Sequence, residues 1–155
     1  MTQPSIPVSV LVERREIDSR WITHEWRIAA VIHAAAAPPA PGTWRHDGFA
    51  VTLFRDEAEG YYLNTSTGDP KVFVMWRLEE SPESEDGEIA VPKFVTVSYN
   101  EAARLMDAQE RVDMVAMPEA MRDWLMAYVA ENYRPAPKKK RHKVSFLAPA
   151  DRARL

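Results

Sequence analysis

The segment Lys71–Leu78 constrains the fold more than any other in this 155-residue chain, because in an extended conformation it is apolar on both faces. Val72, Val74, Trp76 and Leu78 fall on one side, Phe73 and Met75 on the other. Such a strand belongs in the middle of a sheet with both faces covered. The chain must therefore supply partner strands and at least one covering layer.

Candidate strands lie on either side of it. In Ile6–Val12 the residues Ile6, Val8, Val10 and Val12 alternate, which gives a half-buried strand. Trp26–Ile32 places Trp26, Ile28, Ala30 and Ile32 on one face, and Phe49–Phe54 alternates through Phe49, Val51 and Leu53. Phe94–Val97 is expected as a short final strand. Between the first two, Glu13–Glu25 is charged and reads as a long hairpin connection, while the three prolines within Ala34–Gly42 forbid a helix and favour an extended loop. Arg55–Gly60 reads as a charged turn joining two strands, with Gly60 supplying an unusual backbone angle. Glu79–Glu88, with six acids and no apolar residue, is a solvated loop.

Helical signals come after these. Ser98-Tyr99-Asn100-Glu101 has the spacing of a capping box, and Ala102, Leu105 and Met106 follow as an apolar stripe. Pro118 suits a first helical turn; Met121, Trp124, Leu125, Tyr128 and Val129 then keep i, i+3, i+4, i+7, i+8 spacing until Asn132–Pro135 ends the helix. Strands first and helices last predict an α+β fold: a mainly antiparallel sheet of five to six strands followed by two C-terminal helices packed on it. Residues 1–134 are expected to form a single domain, and 135–155 a basic tail.

Composition removes several chemistries. Hydrophobic residues at 46% and charged ones at 28% are ordinary for a globular chain. The absence of cysteine excludes a disulfide framework, thiolate catalysis and cysteine metal sites. Five glycines leave no room for a phosphate-cradling loop, no Gly-x-Ser-x-Gly elbow occurs, and His24, His33, His46 and His142 form no chelating pair with a third ligand. No metal and no cofactor is expected, and the chain reads as a non-enzyme. The N-terminus lacks the pattern of a signal peptide and no window approaches the roughly 20 apolar residues of a membrane helix, so the expected compartment is the cytoplasm.

Charge is distributed unevenly. From Pro135 to Leu155 there are seven Lys or Arg against one acid, Asp151, while the remainder carries 13 basic and 22 acidic residues. The run Lys138, Lys139, Lys140, Arg141 and Lys143 suits an anionic partner, although no interleaved aromatics are present to stack bases. A second docking candidate is Trp21 with His24 and Trp26: as a strand it puts Trp26 on the core face and Trp21 on the outer one. The third is Arg55, Asp56, Glu57 and Tyr61, where acids within four residues are able to hold a cation or raise one another's pKa.

A distinctive order and spacing is set by Pro7–Arg15; Trp21, His24 and Trp26; Leu53, Asp56–Tyr61 and Asn64; Pro70 and Val72–Arg77; Val95–Ser98 with Glu101-Ala102; and Val115–Pro118. In these residues, over Ile6–Tyr133, the chain resembles a family of small, uncharacterised proteobacterial proteins, a domain of unknown function. It departs from the family around Ala34–Gly48, which is shorter than usual, and at Tyr99-Asn100, where Pro-Tyr is more typical. Genes of that family often stand beside those of molybdenum- or tungsten-dependent formate dehydrogenases. The resemblance therefore implies an accessory protein or small non-catalytic subunit that binds such an enzyme or its maturation machinery. Two alternatives stand beside it: a small hydrolase or transferase using carboxylates at Asp56–Glu59 with His24, and a nucleic-acid-binding regulator acting through the basic tail.

Overall fold

The computed structural model describes residues 3–17, 20, 24–36, 42–84 and 87–135. Trp21 and the basic run Lys138–Lys143 lie outside them. Six strands form two antiparallel three-stranded sheets rather than one. In the first, β1 (Ser5–Glu16) lies between β2 (His24–His33) and β3 (Thr43–Thr52). In the second, β4 (Lys71–Glu80) lies between β5 (Glu88–Thr96) and β6 (Arg111–Ala116), so the doubly apolar segment is central as its pattern requires. The edges of the two sheets face one another, β2 against β6 and β3 against β5. The six strands thus enclose one core as a flattened barrel with two seams.

Inward residues follow the strand period of two. Val8, Val10 and Val12 of β1 meet Val72, Val74 and Trp76 of β4 in a shared core with Ile28, Val51, Ala90, Val95 and Val115. Bulges modify the expected sets. In β2 the register shifts, so that Leu11 pairs with Ala30 but Val12 pairs with Ile28, leaving Ala29 as an extra residue. The inward phase flips there, and Val31 rather than the expected Ile32 is buried. A second extra residue falls in β3 at Asp47–Gly48, where Gly48 has φ +90°. The buried Ser9 hydroxyl donates to Asp47 Oδ1 at 2.5 Å beside that bulge. Ser9 and Arg45 together hold the exposed Asp47 carboxyl below its usual range.

The connections correct the sequence reading in five places. The acidic loop expected over Glu79–Glu88 is shorter, because β4 runs on to Glu80 and β5 begins at Glu88. The hairpin expected over Glu13–Glu25 is shorter, because β1 runs on to Glu16 and β2 begins at His24. Arg55–Gly60 is no turn between strands: Arg55–Glu57 is a 3-10 turn leading into helix α1 (Ala58–Thr65). The strand expected at Phe94–Val97 starts earlier, at Glu88, and is not the last. Helices α2 (Tyr99–Asp107) and α3 (Glu119–Asn132) occupy the C-terminal third as expected, but β6 lies between them. α2 is therefore a crossover from β5 to β6, which run parallel to each other on either side of β4. Met121 and Leu125 of α3 are buried in the common core, with Trp124, Tyr128 and Val129 packed against it.

Candidate interaction surface

A buried polar network positions α1 and α2. Asn64, on α1, donates its amide to Lys71 O at 2.8 Å and Val97 O at 2.9 Å, and its Oδ1 accepts Lys71 N–H at 2.9 Å. One side chain thus ties the start of β4 to the segment after β5. Gly60 lies one helical turn earlier and meets Ser98, which caps α2 by accepting Glu101 N–H at 3.1 Å. Only this half of the expected capping box is made, since the Ser98 amide donates to Thr96 Oγ1 at 3.1 Å. The Ser98 hydroxyl donates in turn to Glu57 Oε2 at 2.5 Å, and Arg104 of α2 pairs with the other Glu57 oxygen. Glu57 is thereby a strap between the 3-10 turn and α2.

Tyr61 is buried at 2% exposure, with its hydroxyl accepting Phe54 N–H at 2.9 Å. Burial pushes the hydroxyl up to about 12, although the Phe54 bond acts in the opposite direction. Folding thus favours the neutral phenol. Its contribution is complete below the free-tyrosine value of 10.0 and is lost as pH rises towards about 12. Denaturant midpoints measured between pH 9 and 12 are expected to fall steadily, and Tyr61→Phe, which cannot ionise, should flatten that decline.

Tyr99 and Met106 are seven residues apart on α2 and share one face with the buried Ala102. The Tyr99 ring meets Phe73 of β4 edge-on, with centroids 6.5 Å apart. Phe73 is directly opposite Met114 in the β4–β6 ladder, so Tyr99, Phe73 and Met114 are contiguous on the outer face of the second sheet. Phe73 is buried, but its neighbours are not: Met114 is 63% exposed, Tyr99 51% and Met106 46%. Phe94 of β5 is exposed on the same sheet face, opposite Met75. Methionine and tyrosine concentrated in this way suit a protein-binding surface, since Met adapts its shape and Tyr gives rigid contact area. In the sequence Met106 falls in the apolar stripe of α2 with Ala102 and Leu105, and nothing there marks Tyr99 or Met114. Their shared face is a product of strand pairing across β4, which periodicity within one segment does not reveal.

The residues selected from sequence are dispersed. Trp26, 7% exposed, belongs to the core, where its ring lies 5.2 Å from that of Trp44. His24 is half-buried and pairs with Glu16 at the far end of β1. Asp56 instead shares a cleft with Gln3 and Pro4 at the near end, alongside Arg55. At roughly 3.3 Å per residue, β1 separates His24 from Asp56 by on the order of 30 Å. The carboxylate–histidine site of the hydrolase alternative is not brought together. Glu57 is held by Ser98 and Arg104, and Tyr61 faces the interior. Among the described residues no three His, Asp or Glu side chains cluster as metal ligands, and no helix is long and apolar enough to cross a membrane.

Fold and surface together define an α+β barrel-like domain that carries an exposed apolar patch beside its crossover helix. The chain belongs to the family described as a protein of unknown function, DUF3305, which it matches over residues 7–142. That span is longer than the likeness read from the sequence and takes in Lys138–Arg141. No curated protein and no solved structure matches the chain.

Proposed function

We propose that this protein is a non-catalytic accessory protein or small subunit, acting in assembly, maturation or regulation, and that it binds its partner through Tyr99, Met106 and Met114. The exposed patch is the observation that carries the proposal: Tyr99 and Met114 lie open to solvent beside a buried Phe73, and Met106 lies open on the same helix face as Tyr99. Their exposed area is on the order of a few hundred Å², well below the roughly 800 Å² per partner of a standard stable interface. A surface of that size fits a partner that comes and goes, or one that makes further contacts elsewhere, better than a permanent dimer of this chain. The partner proposed is a molybdenum- or tungsten-dependent formate dehydrogenase or one of its maturation factors. Support for this identity comes from the family likeness seen in the sequence. The test is affinity capture of the tagged full chain from its host, with recovered proteins identified by mass spectrometry. Recovery of a formate dehydrogenase subunit or maturation factor is expected, and repeated recovery of neither rejects the assignment.

A further inference from the structure

β6 is shorter than the strand beside it. β4 continues to Glu80, but its pairing with β6 stops where Trp76 meets Arg111. The chain before Arg111 turns away, with Glu110 N–H bonding Leu105 O and the Glu110 carboxylate taking Arg77. On that side Leu78–Glu80 has no ladder partner among the described residues. Across the gap, Ile28 N–H bonds Asp113 Oδ2 at 2.9 Å, which sets β2 level with β6; β2 then extends through Trp26 to His24, alongside the unpaired end of β4. The line of β6, prolonged past Arg111, is a cleft of about 510 Å³ lined by Trp26, Trp76, Leu78, Glu88 and Arg111.

The geometry points to a slot in this cleft for one extended, basic peptide strand from a partner protein. Strands in a sheet lie about 4.8 Å apart, so a gap where one strand has ended admits one backbone. The edge of β4 supplies the hydrogen bonds of strand addition, and Trp26 with Leu78 gives an apolar floor for alternate side chains, while the Arg111 guanidinium lies over the Trp76 ring with its carbon 5.1 Å from the ring centre. Both indole N–H groups are buried without an acceptor among the described residues. Charge determines the kind of peptide. Glu80 and Glu88 stand directly opposite each other at the end of the β4–β5 ladder, a like-charge pair that is unfavourable by itself. Glu79 and Glu83 are on the same hairpin. Of the nearby basic side chains, Arg27 pairs with Glu13, Lys93 neutralises Glu79, and Arg111 stacks on Trp76 rather than on Glu80 or Glu88. A strand bearing Lys or Arg relieves the Glu80–Glu88 repulsion, whereas an acidic strand adds to it. This slot is at the Leu78 end of the second sheet, and the Tyr99–Met114 patch is at the Phe73 end, so either surface can fail without the other.

The test is an NMR titration of the isotope-labelled full chain with the synthetic peptide Gly-Lys-Val-Arg-Val-Lys-Gly. Saturable shifts are expected at the amides of Arg77–Glu80 and Glu25–Arg27. The double variant Glu80→Lys, Glu88→Lys should bind at least tenfold more weakly. A peptide with Glu in place of its Lys and Arg residues should not bind, nor should one with Pro in place of its first Val, because Pro lacks a ladder donor. The slot is overturned by absence of saturable shifts, by shifts confined to Tyr99–Met114, or by equal binding of the proline peptide.

Discussion

Replacing Asn64 by alanine should lower the stability of this protein by about 3 kcal/mol, among the largest losses available outside the apolar core. The side chain is buried at 2% exposure and makes three hydrogen bonds of 2.8–2.9 Å, all to backbone groups of Lys71 and Val97. Each such bond contributes about 1 kcal/mol net, and more is lost when the partner stays buried and unpaired. Asn64→Asp is the sharper variant. It is nearly the same shape and keeps an acceptor for Lys71 N–H, but sets a carboxylate against two carbonyl oxygens. It should be destabilised as much as Asn64→Ala or more. Urea denaturation reads both: the midpoint should fall with little change in slope. A loss under 0.5 kcal/mol for both variants would mean that Asn64 does not join α1 to β4 and the end of β5.

Gly60→Ala should also destabilise, by about 2 kcal/mol, although alanine is the better helix former. In an unconstrained helix interior this exchange gains up to about 1 kcal/mol, so the sign itself is diagnostic. A Cβ at Gly60 would stand 2.1 Å from Ser98 Oγ, 3.1 Å from Ser98 Cβ and 3.2 Å from Asn100 N. The hydroxyl is not free to swing aside, because it donates to Glu57 and accepts from Glu101 N–H. Combining Gly60→Ala with Ser98→Ala should cost less than the sum of the two single changes, since the second removes the closest clash. Simple additivity would show that the two helices are not in contact at this point.

These two residues illustrate what the sequence made legible and what it did not. Asn64 was picked out by family likeness alone; nothing in Tyr61-Tyr62-Leu63-Asn64 announces an amide that bonds two distant strands. Gly60 has the sequence setting of a turn glycine, but its role is close approach inside a helix. The acids at Asp56, Glu57 and Glu59 obscured the helix that follows them, because a run of charge before two tyrosines has no helical apolar spacing. β1, the centrality of β4, the Ser98 cap and α3 were legible, since each depends on periodicity or capping within one segment. β6 was missed: in a six-residue strand between two helices, Val112 and Met114 face out while Asp113 and Val115 face in, a pattern too short to stand out. The division into two sheets was equally hidden, because burial patterns tell which face is inward but not which strand lies alongside.

The candidate surface depends on just those hidden features. Met114 lies on the missed strand, and it joins Tyr99 only through Phe73, between β6 and α2. The central claim is that this patch is where the protein holds its partner. The most direct test is to compare, in parallel, the amount of formate dehydrogenase subunit or maturation factor recovered with the tagged wild-type chain and with Met114→Glu. Met114 is on the solvent side of its sheet, so the variant should keep the wild-type denaturation midpoint to within about 0.5 kcal/mol. The account predicts that recovery falls at least tenfold while stability holds. Undiminished recovery with the charged variant would contradict it.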